Sequence, residues 1–396
     1  MRFVYLTWTP YSQRFHEFWV APLLARGFEV SVVDCTACVR AASYKEVRLP
    51  DARDYEHLHV CTSREDVARA LARFTPQDML FSLVHLSKQT LFLYRLIHRL
   101  GLRFCAYQPE SMPFPPSVKG EDRSALQRLI RRWGSWNKAR LTLCRSFRFP
   151  NRRLGVAEAE LLFINSSHVP EPHYPVGPGT RLVRTHCFDY ELFLGLREEL
   201  AKGSGLFADD GRVRVVFLES AAPSHPDRFW TGNRAQLTPE VYFPEITAFL
   251  RELTRKYDLD LLVAAHPRAV WEGRLEHYAE FRMVQGKSLQ AVAQADLVLT
   301  HASQSASFAV MLRKPMSCLN TDEFENNRLG LHAKAMAGAL GKTAYNISRG
   351  AGGFDLEREL AVDEARYDRY VRDYLDADGS DRSFWDVLAE ACLGLK

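Results

Sequence analysis

The sequence contains no uninterrupted apolar run of about 18 residues, the length that a membrane-spanning helix requires. Its first residues enter a strand-like segment at Phe3–Thr7 without the apolar stretch and cleavage site of a secretion signal, so we expect a cytoplasmic protein. No Asp-x-Asp motif follows a predicted strand, so we expect the protein to work without a metal ion or any other cofactor. Internal repeats and low-complexity tracts are also missing.

Cysteine is present but not in the spacing of a metal site. Eight cysteines are scattered through apolar segments, which is typical of reduced, buried thiols. Cys35 and Cys38 form a single Cys-x-x-Cys pair, and no second pair follows at ligand spacing, so packing explains them better than zinc.

Net charge is only +4, but one segment is strongly basic. Residues 119–153 hold eleven basic side chains against Glu121 and Asp122, a local charge of +9. The basic residues are Lys119, Arg123, Arg128, Arg131, Arg132, Lys138, Arg140, Arg145, Arg148, Arg152 and Arg153. Because the rest of the chain is mildly acidic, this distribution favours one anionic partner surface and does not favour nucleic acid.

Aromatic residues are interleaved with these charges, at Trp133, Trp136, Phe147 and Phe149. Basic residues mixed with aromatic ones are typical of helices that lie on an anionic membrane. We therefore expect residues 119–153 to contact the inner face of the bacterial inner membrane, although a solvated helix face would need no partner.

The length of 396 residues suits two domains, and 46% hydrophobic with 25% charged residues is an ordinary globular composition. Strand-like and helix-like segments alternate twice along the chain, which predicts parallel βαβ units and an α/β fold. The predicted strands are Phe3–Thr7, Phe28–Asp34, Asp78–His85, Leu102–Gln108, Leu161–Asn165, Arg181–His186, Val213–Leu218, Leu259–Ala265, Leu297–Thr300 and Met316–Asn320. The predicted helices include Gln13–Arg26, Ser63–Phe74, Ser87–Leu100, Pro239–Tyr257, Leu289–Ala295 and Ser305–Arg313, with a helical C-terminal region.

A Gly-rich stretch near residues 202–211 predicts the boundary between two Rossmann-like domains, residues 1–205 and 206–396, with the last helix able to pack back on the first domain. Two such domains facing each other across a cleft form the GT-B architecture of many glycosyltransferases. The first would bind the acceptor and the second the sugar nucleotide.

Polar side chains follow the predicted strands of the second half. Glu219 ends VVFLE, His266 ends LLVAAH, Lys287 and Ser288 follow Gly286, and His301, Ser303 and Ser305 follow LVLT. The carboxyl ends of parallel strands meet at one edge, where ligands bind. Hydroxyls and backbone N–H groups at a helix N-terminus bind phosphate. An imidazole and an ammonium stabilise the negative charge of a phosphate that leaves during transfer. Each group also has an ordinary explanation, such as a helix cap for Glu219.

The order of several motifs resembles bacterial retaining β-Kdo transferases, GT-B enzymes of capsule and O-antigen assembly that use CMP-β-Kdo, the activated form of 3-deoxy-D-manno-oct-2-ulosonic acid. The motifs are FLES-AAPSHPD (Phe217–Asp227), YFPEITAFL (Tyr242–Leu250), AAHPR (Ala264–Arg268), GKS (Gly286–Ser288) and ADLVLTHASQSASFAVMLRKP (Ala295–Pro315). The resemblance covers about residues 210–325, and the His-Pro and Ser motifs are shared with GT-B sialyltransferases that use CMP-sialic acid.

The resemblance implies roles for individual residues. His266 and Pro267 match the His-Pro motif, whose imidazole contacts the CMP phosphate, and Arg268 follows them. Ser303 and Ser305 match the Ser motif at the phosphate or the sugar carboxylate. A carboxylate at the position of Glu219 is the family's nucleophile, usually Asp; glutamate lengthens the side chain by one methylene, about 1 Å, which matters for attack geometry.

The resulting hypothesis is transfer of Kdo from CMP-β-Kdo to a surface polysaccharide or a lipid-linked glycan, with retention through a covalent adduct. The alternatives are an inverting CMP-sialic acid-type transferase, a phosphotransferase of the teichoic-acid type with a CDP-linked donor, and an inactive sugar-nucleotide-binding scaffold. Glu110, after the strand Leu102–Gln108, is either an acceptor-side base or a solvated loop carboxylate. His186 and Asp189 lie near the interdomain connection, and their role stays open.

Overall fold

The computed structural model describes residues 1–41, 54–109, 112–113, 135–168, 171–200, 205–220, 238–266, 275–325 and 327–395. They form two parallel sheets flanked by helices, as the α/β prediction requires. The strands are β1 Arg2–Thr7, β2 Glu29–Asp34, β3 Leu58–Val60, β4 Met79–Ser82, β5 Arg103–Gln108, β6 Leu161–Ile164, β7 Arg181–Arg184, β8 Arg214–Leu218, β9 Asp260–Ala265, β10 Arg282–Gln285, β11 Leu297–Thr300, β12 Met316–Asn320 and β13 Tyr345–Asn346.

The α-helices are α1 Gln13–Phe15, α2 Ala21–Leu24, α3 Thr36–Val39, α4 Arg64–Leu71, α5 Leu91–Arg99, α6 Ser135–Arg145, α7 Phe188–Leu200, α8 Pro239–Tyr257, α9 Ser288–Gln294, α10 Ser307–Met311, α11 Arg328–Ala339, α12 Leu356–Leu360, α13 Glu364–Tyr370 and α14 Phe384–Leu393. The 3₁₀-helices are Asn151–Leu154, Leu275–Tyr278, Gln304–Ala306 and Ile347–Arg349, and π-helical turns cover His16–Val20 and Val371–Leu375. Among the described residues, no helix combines the length and apolarity needed to cross a bilayer.

Both sheets have the Rossmann strand order. The first sheet runs β3-β2-β1-β4-β5-β6-β7 and the second runs β10-β9-β8-β11-β12-β13, with parallel pairing throughout. In each sheet the order reverses once, between β1 and β4 in the first and between β8 and β11 in the second. Such a reversal opens a crevice at the carboxyl ends of the two strands, which is where open α/β sheets bind ligands.

Local signals explain where the main helices begin and end. Ser63 caps α4: its hydroxyl accepts from the N–H of Asp66 at 3.1 Å, while the Asp66 carboxylate accepts from the N–H of Ser63 at 3.0 Å. Helix α8 begins with Pro239, whose fixed φ suits a first helical turn, and continues through Pro244. Its apolar face, which includes Tyr242, is buried against the second sheet.

The chain crosses between the two sheets twice. After β7 it passes into α7, which packs on the core of the second sheet through Tyr190 and Phe193, ahead of the predicted boundary at 205. It returns beside this first crossing, where Cys187 N–H donates to the carbonyl of Leu375. The last helix, α14, then packs on the first sheet and places Phe384 among Tyr107 and Phe163.

Several elements differ from the sequence prediction. The strands β3, β10 and β13 and the helices α7 and α11 are additional to it. The strands are two to four residues long and only partly buried, so they lack the apolar run that marks a central strand. The predicted helix Gln13–Arg26 contains a π-helical turn, and Ser305–Arg313 consists of a 3₁₀ turn followed by the five residues of α10.

Candidate functional site

The carboxyl edge of the second sheet brings the predicted donor-site segments together. In spatial order, Lys287 and Ser288 follow β10, His266 follows β9, Glu219 follows β8, and the segment from His301 to Ser305 follows β11. Neighbouring strands lie about 4.8 Å apart, so the edge from β10 to β11 is about 14 Å wide, enough for an extended nucleotide sugar. Glu219 and the segment from His301 to Ser305 therefore lie on the two sides of the reversal point, and His266, Lys287 and Ser288 lie beside it on the same edge.

Glu219 is fixed next to the strand that carries His266. Its backbone N–H donates to the carbonyl of Ala264 at 3.0 Å, which extends the β8–β9 pairing by one residue. The Glu219 residue is only 3% exposed. Burial, together with Tyr242 and the Glu219 carboxylate, holds the pKa of Tyr278 well above its usual range.

His266 and Lys287 flank Glu219 on the side of β10. His266 is half-buried, and its carbonyl accepts a hydrogen bond from the side-chain amide of Gln285 at 3.3 Å. Gly286 has φ +73°, a left-handed conformation that suits glycine, and this turn leads into α9. The turn leaves Lys287 exposed and Ser288 half-buried. Pro267 and Arg268 lie outside the described residues, so their predicted role is not placed.

His301 lies beneath the edge and not on it. It is fully buried, with Nδ1 3.0 Å from the carbonyl oxygen of Leu319 and Nε2 3.0 Å from the Tyr242 hydroxyl. The carbonyl can only accept, so Nδ1 carries the proton and Nε2 accepts from Tyr242. Burial lowers the pKa of His301 to about 4 and keeps it neutral. Because both ring nitrogens are hydrogen-bonded within the protein, His301 has no nitrogen left to contact a donor substrate. Its role is structural, beneath the edge of the sheet.

The serine-rich turn after β11 is joined to α7, the helix that follows the first sheet. Ser303 begins the 3₁₀-helix Gln304–Ala306, with its hydroxyl accepting from the N–H of Ser305 at 3.3 Å, and both residues are half-buried. Ser307, which begins α10, donates to the carboxylate of Asp189 on α7 at 2.8 Å. In the sequence, Asp189 is marked only by its position near the connection, because its partner Ser307 lies 118 residues further along the chain.

The interdomain connection is held by His186. Its Nδ1 lies 3.0 Å from the carbonyl of Cys187, and its Nε2 lies 2.9 Å from the carbonyl of Arg382 and 3.2 Å from Glu191. Burial opposes the charged imidazolium, but Glu191 and the two carbonyls outweigh it and raise the pKa of His186. His186 therefore ties the outgoing chain to the returning chain and is a structural residue of the connection.

Residues that follow strands β5 and β6 of the first sheet contact the second domain. The carbonyl of Pro113, in the segment after β5, lies 3.2 Å from Nδ1 of His332 on α11. Asn165, directly after β6, donates to the carbonyl of Tyr374 at 2.7 Å. The carboxyl edge of the first sheet therefore faces the second domain. Glu110, also after β5, lies outside the described residues.

No three His, Cys, Asp or Glu side chains form a possible metal site within the described ranges. That the activity requires no metal ion or cofactor stays a prediction. Cys35 and Cys61 are buried thiols, and Cys38 is half-buried.

No family model and no curated protein matches this sequence. Among solved structures, the wall teichoic acid polymerase TagF is similar, with a TM-score of 0.51, 9% identity, and coverage of 100% of this chain and 90% of that chain. A TagF variant soaked with CDPG for 30 minutes gives the same TM-score and identity, covering 100% of this chain and 89% of that one. The chain has the GT-B fold. At this identity the likeness concerns architecture, and it confirms the predicted pair of Rossmann-like domains.

Proposed function

We propose that this GT-B chain is a glycosyltransferase that moves Kdo, or a related ulosonic acid, from its CMP-β donor to a bacterial surface glycan with retention. The observation that carries the proposal is the placement of Glu219 and His266 on adjacent strand ends, fixed by the hydrogen bond from Glu219 to Ala264. A carboxylate at the reversal point of the sheet and an imidazole at the neighbouring strand end suit a nucleophile and a phosphate-contacting group.

The charges along the edge match the donor. A CMP-activated ulosonic acid carries a phosphate and a sugar carboxylate, both anionic. Lys287 offers an exposed ammonium on one side of His266, and the hydroxyls of Ser303 and Ser305 lie on the other side of Glu219. Arg268 and Pro267, expected beside the phosphate from the sequence motif, complete the proposed donor-binding set. Hydroxyl and ammonium donors aimed at a phosphate stabilise the charge that develops as CMP departs.

The proposed chemistry is a double displacement. The Glu219 carboxylate attacks the anomeric carbon from the face opposite the phosphate, the carbon–oxygen bond to the phosphate breaks, and CMP leaves with the electron pair. The His266 imidazole donates a hydrogen bond to the departing phosphate. An acceptor hydroxyl then displaces Glu219 and gives its proton to an acceptor-side base, for which Glu110 is the candidate. Two inversions amount to retention.

The likeness to TagF favours one second candidate. TagF is a wall teichoic acid polymerase whose variant was soaked with CDPG, so a CDP-linked donor is a reasonable alternative for a chain with the same architecture. An inverting CMP-sialic acid-type transferase is a further alternative within the same fold. All three activities release a cytidine nucleotide, but they differ in donor and only the retaining one needs a covalent adduct. A scaffold without activity would release none.

A donor screen followed by peptide mass analysis tests the proposal. Purified protein is incubated with CMP-Kdo, CMP-sialic acid or CDP-glycerol, and nucleotide release is measured with and without acceptor. We expect release from CMP-Kdo and, without acceptor, one Kdo mass added to the peptide that contains Glu219. Glu219→Gln should bind CMP-Kdo, form no adduct and lose nearly all transfer.

The matched control is Glu280→Gln, which removes an exposed carboxylate of the same domain that pairs with Arg251. It should keep both adduct and transfer. Full activity in Glu219→Gln, or product of inverted configuration, would end the covalent mechanism, and release from CDP-glycerol alone would favour the teichoic-acid-type alternative.

A further inference from the structure

The first sheet has its own reversal point, and aromatic side chains meet across it. Trp8 directly follows β1, and His85 lies three residues beyond the end of β4. Their ring centroids are 5.2 Å apart, so the two loops meet where the strand order reverses. In the second domain, the corresponding position holds Glu219 and the serine-rich turn. Open α/β sheets bind ligands where the strand order reverses, so this position in the first domain is also a candidate ligand site.

Four planar groups form a continuous series at this point, which we call the planar stack: Arg40, Trp8, His85 and His173. The guanidinium of Arg40 lies 3.9 Å from the centre of the Trp8 ring. The imidazoles of His85 and His173 are stacked, with centroids 4.8 Å apart and an angle of 22° between their planes. All four residues are half-buried, so the stack retains exposed surface.

The loop that carries His173 is held in place by the end of β5. The side-chain oxygen of Gln108 accepts from the N–H of His173 at 2.7 Å, and its amide donates to the carbonyl of Glu171 at 3.0 Å. The N–H of Leu86 donates to the carbonyl of His173 at 2.7 Å. These bonds hold the backbone of the two histidine loops in place before any ligand arrives, which lowers the entropy cost of binding.

The charges around the stack are positive. Arg145, the last residue of α6, donates from its guanidinium to the carbonyl of Leu86, next to His85. Its Nε is buried and has no hydrogen-bond partner among the described residues. Burial, together with His173, Arg145 and Arg40, lowers the pKa of His85 to about 3. His85 is therefore neutral at physiological pH, where a neutral imidazole has one donor and one acceptor for hydroxyl groups.

From this geometry we infer that the planar stack and Arg145 form a subsite for an anionic saccharide, a sugar ring that carries a carboxylate or a phosphate. Aromatic and imidazole faces accommodate the apolar face of a sugar ring, and the neutral His85 can bond its hydroxyls. The guanidinium groups of Arg40 and Arg145 recognise carboxylate or phosphate with charge-assisted hydrogen bonds. The inference rests on the proposed function, because such a saccharide would be the acceptor.

Calorimetric titration of the full chain tests the subsite, with CMP present in excess to occupy the donor site. The probes are tetragalacturonate, its neutral methyl ester, glucose 6-phosphate and glucose, so that the carboxylate and phosphate arms each have a neutral counterpart. We expect one acid to bind about tenfold or more tightly than its neutral counterpart, since a hydrogen bond to a charged group contributes that much. The arm that shows the preference identifies the anion.

Two arginine variants and a control locate the binding. Arg145→Gln and Arg40→Gln should each remove most of the preference for the acid, whereas Arg148→Gln, an exposed arginine three residues away, should leave it unchanged. Trp8→Leu should weaken acid and neutral probes alike. Melting temperatures identify any variant that fails to fold. If one of the two arginine variants fails, the other shows whether a guanidinium group of the subsite binds the acid.

The inference is overturned if neither acid binds better than its neutral counterpart, or if Arg148→Gln acts like Arg145→Gln. These outcomes are independent of the donor screen. Acid-dependent binding in a protein that releases no nucleotide would refute the proposed activity and keep the subsite. Nucleotide release without acid-dependent binding would refute the subsite alone.

Discussion

The hydroxyl of Ser307 lies 2.8 Å from Oδ2 of Asp189 and 2.6 Å from the carbonyl oxygen of Gln304. This hydroxyl has one proton and two acceptors, so it either shares that proton between them or donates to Gln304 while a protonated Asp189 donates to it. Burial raises the pKa of Asp189 to about 6, although Ser307 and Arg14 act in the opposite direction. The turn after β11 is thus joined to α7 by a carboxyl group that titrates near neutral pH.

We predict that Asp189→Asn makes stability less dependent on pH. The folded state holds the Asp189 proton to about pH 6, whereas an unfolded aspartate loses it near pH 4. The stabilising contribution is therefore complete below about pH 4 and is lost as pH rises through about 6. Relative to wild type, the variant should gain roughly 1–3 kcal/mol between these limits.

Chemical denaturation at several pH values between 4.5 and 7.5 measures this difference, and Asp209→Asn, an exposed residue of the second domain, is the control. A constant difference between Asp189→Asn and wild type across the range would contradict the protonated contact.

We predict that His266→Ala keeps the fold and loses most turnover. His266 is a half-buried residue at the end of β9, so removing its ring leaves the core intact. Hydrogen-bonding or acid help at a departing phosphate typically contributes about 10²–10⁴-fold in rate. Steady-state nucleotide release measures the loss, and His98→Ala, on the exposed side of α5, is the control. A rate above about a third of wild type would make His266 a structural loop residue.

We predict that the last helix is essential to the stability of the first domain. Phe384 on α14 is fully buried against Tyr107, Phe163 and Phe188. Phe384→Ala should lower the free energy of unfolding by about 3–5 kcal/mol, because it leaves a cavity in a packed aromatic core.

Leu393 lies on the same helix and is 41% exposed, so Leu393→Ala should change stability by no more than about 0.5 kcal/mol. Thermal or denaturant unfolding compares the two variants. Similar losses in both would mean that α14 does not contribute through its buried face.

We predict that the basic segment binds anionic membranes. Residues 119–134 of this segment lie outside the described residues, but Lys138, Arg140, Arg148, Arg152 and Arg153 are all exposed. The protein should cosediment with anionic vesicles and be released as salt rises, because ionic strength screens surface charges. Replacing Arg128, Arg131 and Arg132 by Gln should weaken this binding without lowering the melting temperature. Equal sedimentation with neutral vesicles would refute the electrostatic contact.

Local sequence patterns predict many of the helices and strands of the fold. The predicted bounds of α8, β11 and β12 agree with the structure, because long apolar periodicity and buried strands leave strong patterns. The predicted helix Ser63–Phe74 is likewise present as α4, with Ser63 as its N-cap. Strands such as β10 and β13 are too short and too exposed for such a pattern, and α7 buries its side chains only where it meets the second core.

The sequence by itself determined the alternation of strands and helices and the identity of the groups that follow each strand. The sequence allowed the last helix to return to the first domain, but the packing of α14 on the first sheet, the exact strand neighbours and the joining of Ser307 to Asp189 were decided only by the tertiary structure. The residue type makes His301 a possible ligand group, but its burial and its hydrogen-bond partners, 18 and 59 residues away along the chain, decide whether it can contact a ligand. The reason is that local patterns constrain neighbouring residues, whereas desolvation and long-range packing depend on the whole fold.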